Sequence, residues 1–310
     1  MAQPRQPYPK SPLSLDDQVQ RLLDRGLIGD PGVIRKRLAV VGYYRLSAYW
    51  HPFRLPDLSH PGQYLDEFEP GTSFEDVWAR YAFDRRLRLH VLDAIERIEV
   101  AARAMLAQEH TLAHGRFAYM SERESLSGLS DEEWAWFVES VQRACAGSKE
   151  PFVLHFRRTY SDSYLPLWIA TEIVSLGCIA KLFNGVSPEI QRTVAASIGI
   201  SPRIFGSWLR SLNVVRNTCA HHSRLWNRVF GFKPRIPDAD PQWHHPVEVS
   251  NDRVFAILTI SKYCLNRIAP QSRWDQNLRR LLADFPTVPT RDMGFPDNWQ
   301  TSPIWTLQGP

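Results

Sequence analysis

The stretch from Trp208 to Arg228, WLRSLNVVRNTCAHHSRLWNR, constrains the fold most, because it carries two helical patterns at once. It contains neither Pro nor Gly. Mostly apolar side chains recur at alternating steps of four and three, which makes one buried stripe on an α-helix. These side chains are Trp208, Leu212, Val215, Cys219, His222 and Trp226. The pattern predicts a single amphipathic helix over 208–228.

The opposite face of this predicted helix is polar and basic. At about 100° per residue, it collects Arg210, Asn213, Asn217, His221, Arg224 and Arg228. A simple solvated face is one interpretation, but such faces normally mix carboxylates with cations in i,i+4 pairs. No carboxylate occurs between 208 and 228. A cluster of arginines without acids is easier to explain if it binds an anion, and the planar guanidinium suits phosphate.

The same stretch resembles a known family. Residues 216–221, RNTCAH, have the Arg, polar residue, His form of the HEPN ribonuclease motif. The longer string RNTCAHHSRLWNR closely resembles the Abi family of bacterial abortive-infection proteins (AbiD/AbiF-like, Abi_2). Further similar segments are LSLDDQVQRLLDRGL to GYYRLSAYWHPFR, DAIERIEVAAR and LPLWIATEIVSLG, so the resemblance covers nearly the whole chain.

The resemblance implies a metal-independent endoribonuclease in anti-phage defence that needs no cofactor. RNA supplies its own nucleophile, the 2′-OH, and the product would be a 2′,3′-cyclic phosphate. His221 would move the proton, since histidine changes charge near neutral pH. Arg216 would hold the charge that develops on phosphorus, and Asn217 would orient the imidazole or a phosphate oxygen. Flanking phosphates would be bound by Arg210, Arg224 and Arg228.

The spacing of the motif raises a geometric difficulty. Arg216 and His221 are five residues apart, so they point about 140° from each other on an ideal helix. A kink, the long Arg side chain or a dimer would have to bring them together. HEPN ribonucleases commonly form the site where two motifs face each other, so the resemblance implies a homodimer with a composite active site. A toxic nuclease also implies an inhibitory RNA or an antitoxin protein.

Other functions compete for the same residues. A non-catalytic RNA-binding protein, or a toxin–antitoxin-type regulator, could use the same Arg/Asn/His face. An enzyme acting on a small phosphorylated ligand is disfavoured, because the sequence lacks a Gly-rich phosphate loop. His221 and His222 beside Cys219 could suggest a metal, but adjacent helical histidines point about 100° apart. We therefore expect no metal.

Three residues elsewhere are expected to support the site. Glu99 and Arg103 form an i,i+4 pair in the favourable order, either as a surface ion pair of about 0.3–0.5 kcal/mol or as a brace for the catalytic helix. Glu172 lies in the middle of the apolar helix WIATEIVSLGCIAKLF, where a lone acid needs a partner. A guanidinium from the catalytic helix would satisfy it. We expect Glu172, like His222, to be structural rather than a general base.

The remaining chain predicts an all-α fold, a HEPN-like helical bundle with additional N-terminal and C-terminal helices. The predicted division is a flexible tail (1–13), an N-terminal helical segment and loop (14–73), the core (74–230), and C-terminal helices with an extended tail packed on the core (231–310). A helix is expected from Phe74 to about His114. The segment FVLHFRRTYSDSY is expected to be a connector without regular structure. Phe295, Trp299 and Trp305 should anchor the tail.

Composition fits a soluble globular protein. The chain is 44% hydrophobic and has a net charge of +4, with six Lys against 31 Arg. This excess of Arg is compatible with a phosphate-binding partner, although a GC-rich genome also explains it. The four cysteines are widely separated, and neither a signal peptide nor a bilayer-spanning run is recognisable. We expect a cytoplasmic location without a membrane partner.

Overall fold

A computed structural model describes residues 11–306. Within them the chain forms fourteen α-helices and one two-stranded sheet, which confirms the predicted all-α class. Residues 1–10 of the predicted flexible tail lie outside the described part. The small sheet pairs β1 (Arg54–Pro56) with β2 (Tyr64–Phe68) in antiparallel fashion, within a loop where strand signals in the sequence are weak.

The helices follow in chain order. They are α1 (Leu15–Asp24), α2 (Pro31–Val41), α3 (Tyr43–Trp50), α4 (Phe74–His114), α5 (Ala118–Ser121), α6 (Asp131–Gly147), α7 (Pro151–Thr159), α8 (Leu167–Ile173), α9 (Leu176–Gly185), α10 (Pro188–Ile198), α11 (Pro202–Ala220), α12 (Val254–Ile268), α13 (Trp274–Asp284) and α14 (Pro303–Thr306).

Helix starts follow local capping chemistry. The hydroxyl of Ser14 accepts from the backbone N–H of Asp17 at the start of α1. Ser130 and Glu133 form a reciprocal capping box that starts α6. Such caps satisfy backbone N–H groups that have no partner inside the helix. The predicted helix from Phe74 to His114 is also confirmed, as α4.

The chain divides into two compact units. Among the described residues, one comprises 11–85 with Phe285–Val288, and the other comprises Arg86–Asp284 with 289–306. In the first unit α2 packs on both α1 and α3. The division into four segments made from the sequence stays a prediction. All candidate site residues lie in the second unit, which is described below.

The core of the second unit surrounds α12, whose residues from Val254 to Leu265 are all buried. Helix α11 packs against α9, α10 and α12. Trp208 of α11 meets Trp243 and Tyr263, with ring centroids 5.3–5.5 Å apart within this group of three. The indole N–H of Trp208 also donates to the carbonyl of Arg235, at 2.7 Å. These contacts fix α11 and the chain that follows it.

Three sequence predictions about local structure are wrong. The predicted helix 208–228 ends at Ala220. The segment WIATEIVSLGCIAKLF breaks into α8 and α9, because Ser175 caps a new helix by accepting from the N–H of Cys178. Most of the expected connector after Pro151 is helix α7.

The C-terminal tail differs from the prediction in one respect. It is folded into 3-10 turns and α14 rather than extended. Its anchors are as expected, since Phe295, Trp299 and Trp305 are buried. Phe295 and Trp305 both pack against Phe255 of α12, with ring centroids 4.7 and 6.2 Å away. The tail is therefore part of the core of this unit.

Candidate functional site

Helix α11 presents one buried face, as the sequence pattern predicts. The buried side chains on it include Trp208, Leu212, Val215 and Cys219. Two buried hydroxyls on the helix are satisfied locally, since Ser211 donates to the carbonyl of Ser207 and Thr218 to that of Val214. The buried face therefore holds the helix in one rotational position. The rotational position of Arg210, Arg216 and Asn217 follows from it.

Helix α11 ends at a residue whose backbone has the left-handed conformation. Ser223 N–H donates to the carbonyl of Thr218, and His222 N–H donates to that of Cys219. This pair of bonds, with a left-handed residue at the position of His222, is the Schellman arrangement that ends many helices. His222 has φ +57°, a conformation that usually belongs to glycine. His221 thus lies at the helix boundary, with its backbone N–H bound to the carbonyl of Asn217.

Ending the helix at this point changes the predicted faces. His222 is exposed, so its predicted place on the buried stripe is wrong. Trp226 is fully buried, but it lies in the loop after the helix. Arg224 and Arg228 are also in this loop and are half-buried rather than on the polar face of α11. The guanidinium of Arg228 donates to the carbonyl of Arg224, at 3.2 Å.

The motif residues are accessible. The guanidinium of Arg216 donates to the side-chain oxygen of Asn217, at 3.3 Å. Asn217 and His221 are exposed, and Arg216 is half-buried. Among residues 11–306, no carboxylate lies within 4.0 Å of the Arg216 guanidinium, and the His221 ring has no hydrogen bond to another residue. Within this range, neither Arg216 nor His221 is therefore engaged in an ion pair.

Arg210 lies two turns before the motif on the same side of α11. The helical rise puts it about 10 Å from Asn217 along the axis. Its guanidinium stacks on the ring of Phe232, 4.1 Å from the centroid. The predicted flanking arginines are therefore distributed over two places. Arg210 lies in the first half of the helix, while Arg224 and Arg228 lie beyond its end.

Asn213 is a polar residue of α11 that contacts a second helix. A Cβ atom built on Gly177 of α9 would lie 3.4 Å from its amide nitrogen and 3.7 Å from its amide oxygen. Asn213 therefore lies against the first turn of α9. The sequence places Asn213 on the polar face of α11. It does not reveal the contact with α9, because the segment 168–183 is predicted as one continuous helix with no start beside Asn213.

The Glu99–Arg103 pair forms and is largely buried. The side chains of Arg103 and Glu99 are 15% and 12% exposed, so the surface interpretation is wrong. The Arg103 guanidinium also donates to the carbonyls of Glu172 and Val174, at 3.1 and 2.9 Å. These carbonyls lie at the break between α8 and α9. The pair therefore holds the chain just before α9, the helix that Asn213 touches, and does not itself bond to α11.

Glu172 is placed differently from the prediction. Glu172 is exposed at the end of α8. Arg103 donates a hydrogen bond to its backbone carbonyl and not to its carboxylate. The expected ion pair between its carboxylate and a guanidinium of the catalytic helix is absent from the described residues. Because the helix breaks at Val174, Glu172 is not in the middle of an apolar helix and needs no buried partner.

Comparison with known proteins bears on this site. Residues 36–227 match the family described as Abi-like protein, which is more than half of the chain and includes the motif at 216–221. The chain belongs to the Abi-like protein family. Membership suggests a part in abortive-infection defence. Neither the curated proteins nor the solved structures contain a significant match to this Abi-like chain.

Few side chains of the Abi-like protein are placed to support metal or thiol chemistry. Among residues 11–306, no three His, Cys, Asp or Glu side chains are grouped so that they could hold a metal ion. The four cysteines form no disulfide among residues 11–306, and three of them, including Cys219, are buried. No helix in the same range has the length and apolarity needed to cross a bilayer.

Two histidines of the second unit, His90 (half-buried) and His110 (fully buried), differ from His221. Burial lowers the pKa of His90 and that of His110 to about 4 each. The His90 ring stacks on Trp274 with centroids 4.4 Å apart, and His110 is fully buried in α4. With pKa values of about 4, both are neutral at pH 7. His221, by contrast, is accessible to a ligand.

Proposed function

We propose that this Abi-like protein is a metal-independent endoribonuclease of the HEPN superfamily, AbiD/AbiF-like, that acts in anti-phage defence. The observation that carries the proposal is the composition of the end of α11. There, within six residues, lie Arg216, which has no carboxylate of residues 11–306 in reach, and the exposed His221, whose ring has no hydrogen-bond partner in the same range. Proton transfer and anion stabilisation are the two functions that RNA cleavage requires.

The reaction needs no nucleophile from the protein. The imidazole of His221 removes the proton from the 2′-OH, and the 2′ oxygen attacks the adjacent phosphorus. The bond from phosphorus to the 5′ oxygen breaks, and that oxygen takes up a proton as it leaves. The products are a 2′,3′-cyclic phosphate and a 5′-hydroxyl. Each step uses only acid–base chemistry and the RNA itself.

Arg216 and Asn217 bind the reacting phosphate in this scheme. A guanidinium stabilises the extra negative charge of the five-coordinate phosphorus, and its planar donors match two phosphate oxygens. The hydrogen bond from Arg216 to Asn217 orients the guanidinium before RNA binds. Arg224 and Arg228, just beyond the helix, bind neighbouring phosphates.

The motif offers one histidine per chain for two proton transfers. We propose that a second copy of the chain supplies the other group, in a homodimer with a composite site. Val214 and Val229, exposed apolar residues close to the motif in sequence, would be buried by a subunit contact there. An inhibitory RNA or an antitoxin protein that covers the same face would restrain the nuclease until infection.

The test is cleavage of a bulk cellular RNA pool by purified protein in the presence of EDTA. We compare the wild type with His221→Ala and with His155→Ala, a matched control that removes an exposed histidine of α7. The ends of the products are mapped chemically. We expect cyclic-phosphate ends from the wild type and the control, and a loss of about 100-fold or more with His221→Ala.

Two results contradict the proposal. Equal cleavage by wild type and His221→Ala would show that another residue, or a contaminant, does the chemistry. If all three proteins bind RNA alike and none cuts it, the Arg/Asn/His face binds RNA or an antitoxin-type partner without catalysis. Circular dichroism of each variant checks that a loss of cleavage does not come from unfolding.

A further inference from the structure

A basic cleft lies along the first half of α11, away from the motif. It has a volume of about 730 Å³ and is lined by residues of α9, α10, α11 and the loop after the motif. Its charged lining residues are all arginines: Arg192, Arg203, Arg210 and Arg235. No Asp or Glu lines it, and Glu189 of α10 is not among the lining residues. The cleft therefore has four positive charges on its walls.

The four arginines are exposed and are not neutralised internally. None of them forms an ion pair with a carboxylate of residues 11–306. In the same unit, exposed arginines elsewhere do find acids, as Arg143 does with Glu139. Four like charges around one cleft repel each other, and that repulsion is relieved when an anion binds. The cleft therefore favours a ligand with several negative charges.

The walls of the cleft are held in place by specific contacts. The backbone N–H of Arg235 donates to the hydroxyl of Ser207, at 2.9 Å, and its carbonyl accepts from the indole of Trp208. Arg210 is stacked on Phe232. These contacts fix the backbone of Arg235 and the guanidinium of Arg210 before any ligand is bound, which reduces the entropy that binding must overcome.

The cleft also contains the first turn of α11. Ser201 and Pro202 line it, and the first turn of α11 contains no acidic residue. The N-terminus of a helix carries a partial positive charge and free N–H groups, both of which favour phosphate. This adds to the charge of the arginines. Guanidiniums, rather than ammoniums, also suit the geometry of phosphate oxygens.

We propose that this cleft binds the phosphodiester backbone of a single-stranded RNA segment that flanks the cleavage site. The inference rests on the proposed function for the identity of the anion. The cleft and the motif share one helix, so a strand that occupies the cleft can follow α11 toward His221. Arg203 and Arg235 bind phosphates of this flanking segment, whereas Arg216 acts on the phosphate that is cut.

The experiment measures binding without cleavage. Fluorescence anisotropy of a labelled single-stranded RNA of about 20 nucleotides is followed at several KCl concentrations, with every protein carrying His221→Ala. The test variant adds Arg203→Gln and Arg235→Gln. Its matched control adds Arg158→Gln and Arg280→Gln, which remove two exposed arginines outside the cleft.

We expect the cleft variant to bind RNA about tenfold or more weakly at moderate salt. The slope of log K against log salt should become shallower by about 1.4, since each phosphate contact to a single strand contributes about 0.7. The control has the same net charge and should keep both the affinity and the slope. A loss of affinity common to both variants would mean a general charge effect, which overturns the inference.

Two further outcomes also overturn it. The first is an RNA affinity unchanged by the cleft substitutions. The second is binding of inorganic tripolyphosphate at least as tight as RNA and lost in the cleft variant, which would assign the cleft to a small phosphorylated ligand. Because every protein lacks His221, the result does not depend on catalysis. A cleft effect with no wild-type cleavage would defeat only the proposed nuclease function.

Discussion

Replacement of Arg103 by Met tests the brace between α4 and the α8–α9 break. Arg103→Met removes the cation beside a Glu99 side chain that is only 12% exposed. It also removes the donor for the carbonyl of Val174, a buried residue, and for that of Glu172. The remaining carboxylate must either be neutralised or stay charged with little water around it.

The expected loss of unfolding free energy is about 3–5 kcal/mol, the usual result of removing one partner of a buried pair. The double replacement Glu99→Met with Arg103→Met should cost less, about 1–3 kcal/mol, because only the carbonyl hydrogen bonds are then missing. The difference, about 2 kcal/mol, is the cost of leaving the Glu99 carboxylate without its cation. A matched control is Arg143→Met in the Glu139–Arg143 pair of α6, which should cost less than about 1 kcal/mol because both side chains are mostly exposed.

Urea unfolding followed by tryptophan fluorescence measures these differences, as shifts of the midpoint at constant slope. A loss below about 1 kcal/mol for Arg103→Met, equal to that of the control, would refute the reasoning. It would mean that water reaches Glu99 once the arginine is gone. A double variant less stable than the single one would also refute it, since the unpaired carboxylate would then not be the cause.

Two other predictions concern histidines of the same unit. The unfolded chain takes up a proton on His90 near its ordinary pKa of 6.5, whereas the folded pKa is about 4, so stability is lost as the pH falls through this window. His90→Phe keeps the stacking on Trp274 and should reduce the stability lost between pH 7 and pH 5 by about 2 kcal/mol in urea titrations; an unchanged loss would show that His90 does not titrate in this way. At position 222 the φ of +57° favours glycine. His222→Gly should therefore be more stable than His222→Ala by about 1 kcal/mol in thermal unfolding, and equal stability would contradict the assigned helix end.

The sequence predicts the start of α6 but not the end of α11. Ser130 with Glu133 is a local signal that can be found without knowledge of the rest of the chain. The end of α11 carries no Gly or Pro, and it depends on a histidine in a glycine-like conformation and on the burial of Trp226 beyond it. Tertiary packing determines where this helix ends, and the hydrophobic periodicity of the sequence does not reveal such packing.

The candidate site could be predicted only in part for the same reason. Arg216, Asn217 and His221 are close in sequence, so the motif was visible as a string. The basic cleft combines Arg192 of α10 with Arg235 of the loop after the motif, and only the packing of α11 brings them near Arg210. The one sequence signal for the cleft is the clustering of arginines without acidic residues, and that pattern predicts a basic face on a single helix only.

Helix α11 also sets a fixed length. From Arg203 in the cleft to Ala220 at its end it rises about 26 Å, at 1.5 Å per residue. Because the helix is continuous and contains no flexible linker, the distance between the cleft and the motif is fixed. An RNA held in the cleft would therefore be cut at a constant number of nucleotides from the held segment. The cleavage position would then depend on which segment of the strand is bound in the cleft, as well as on the bases at the cleavage site.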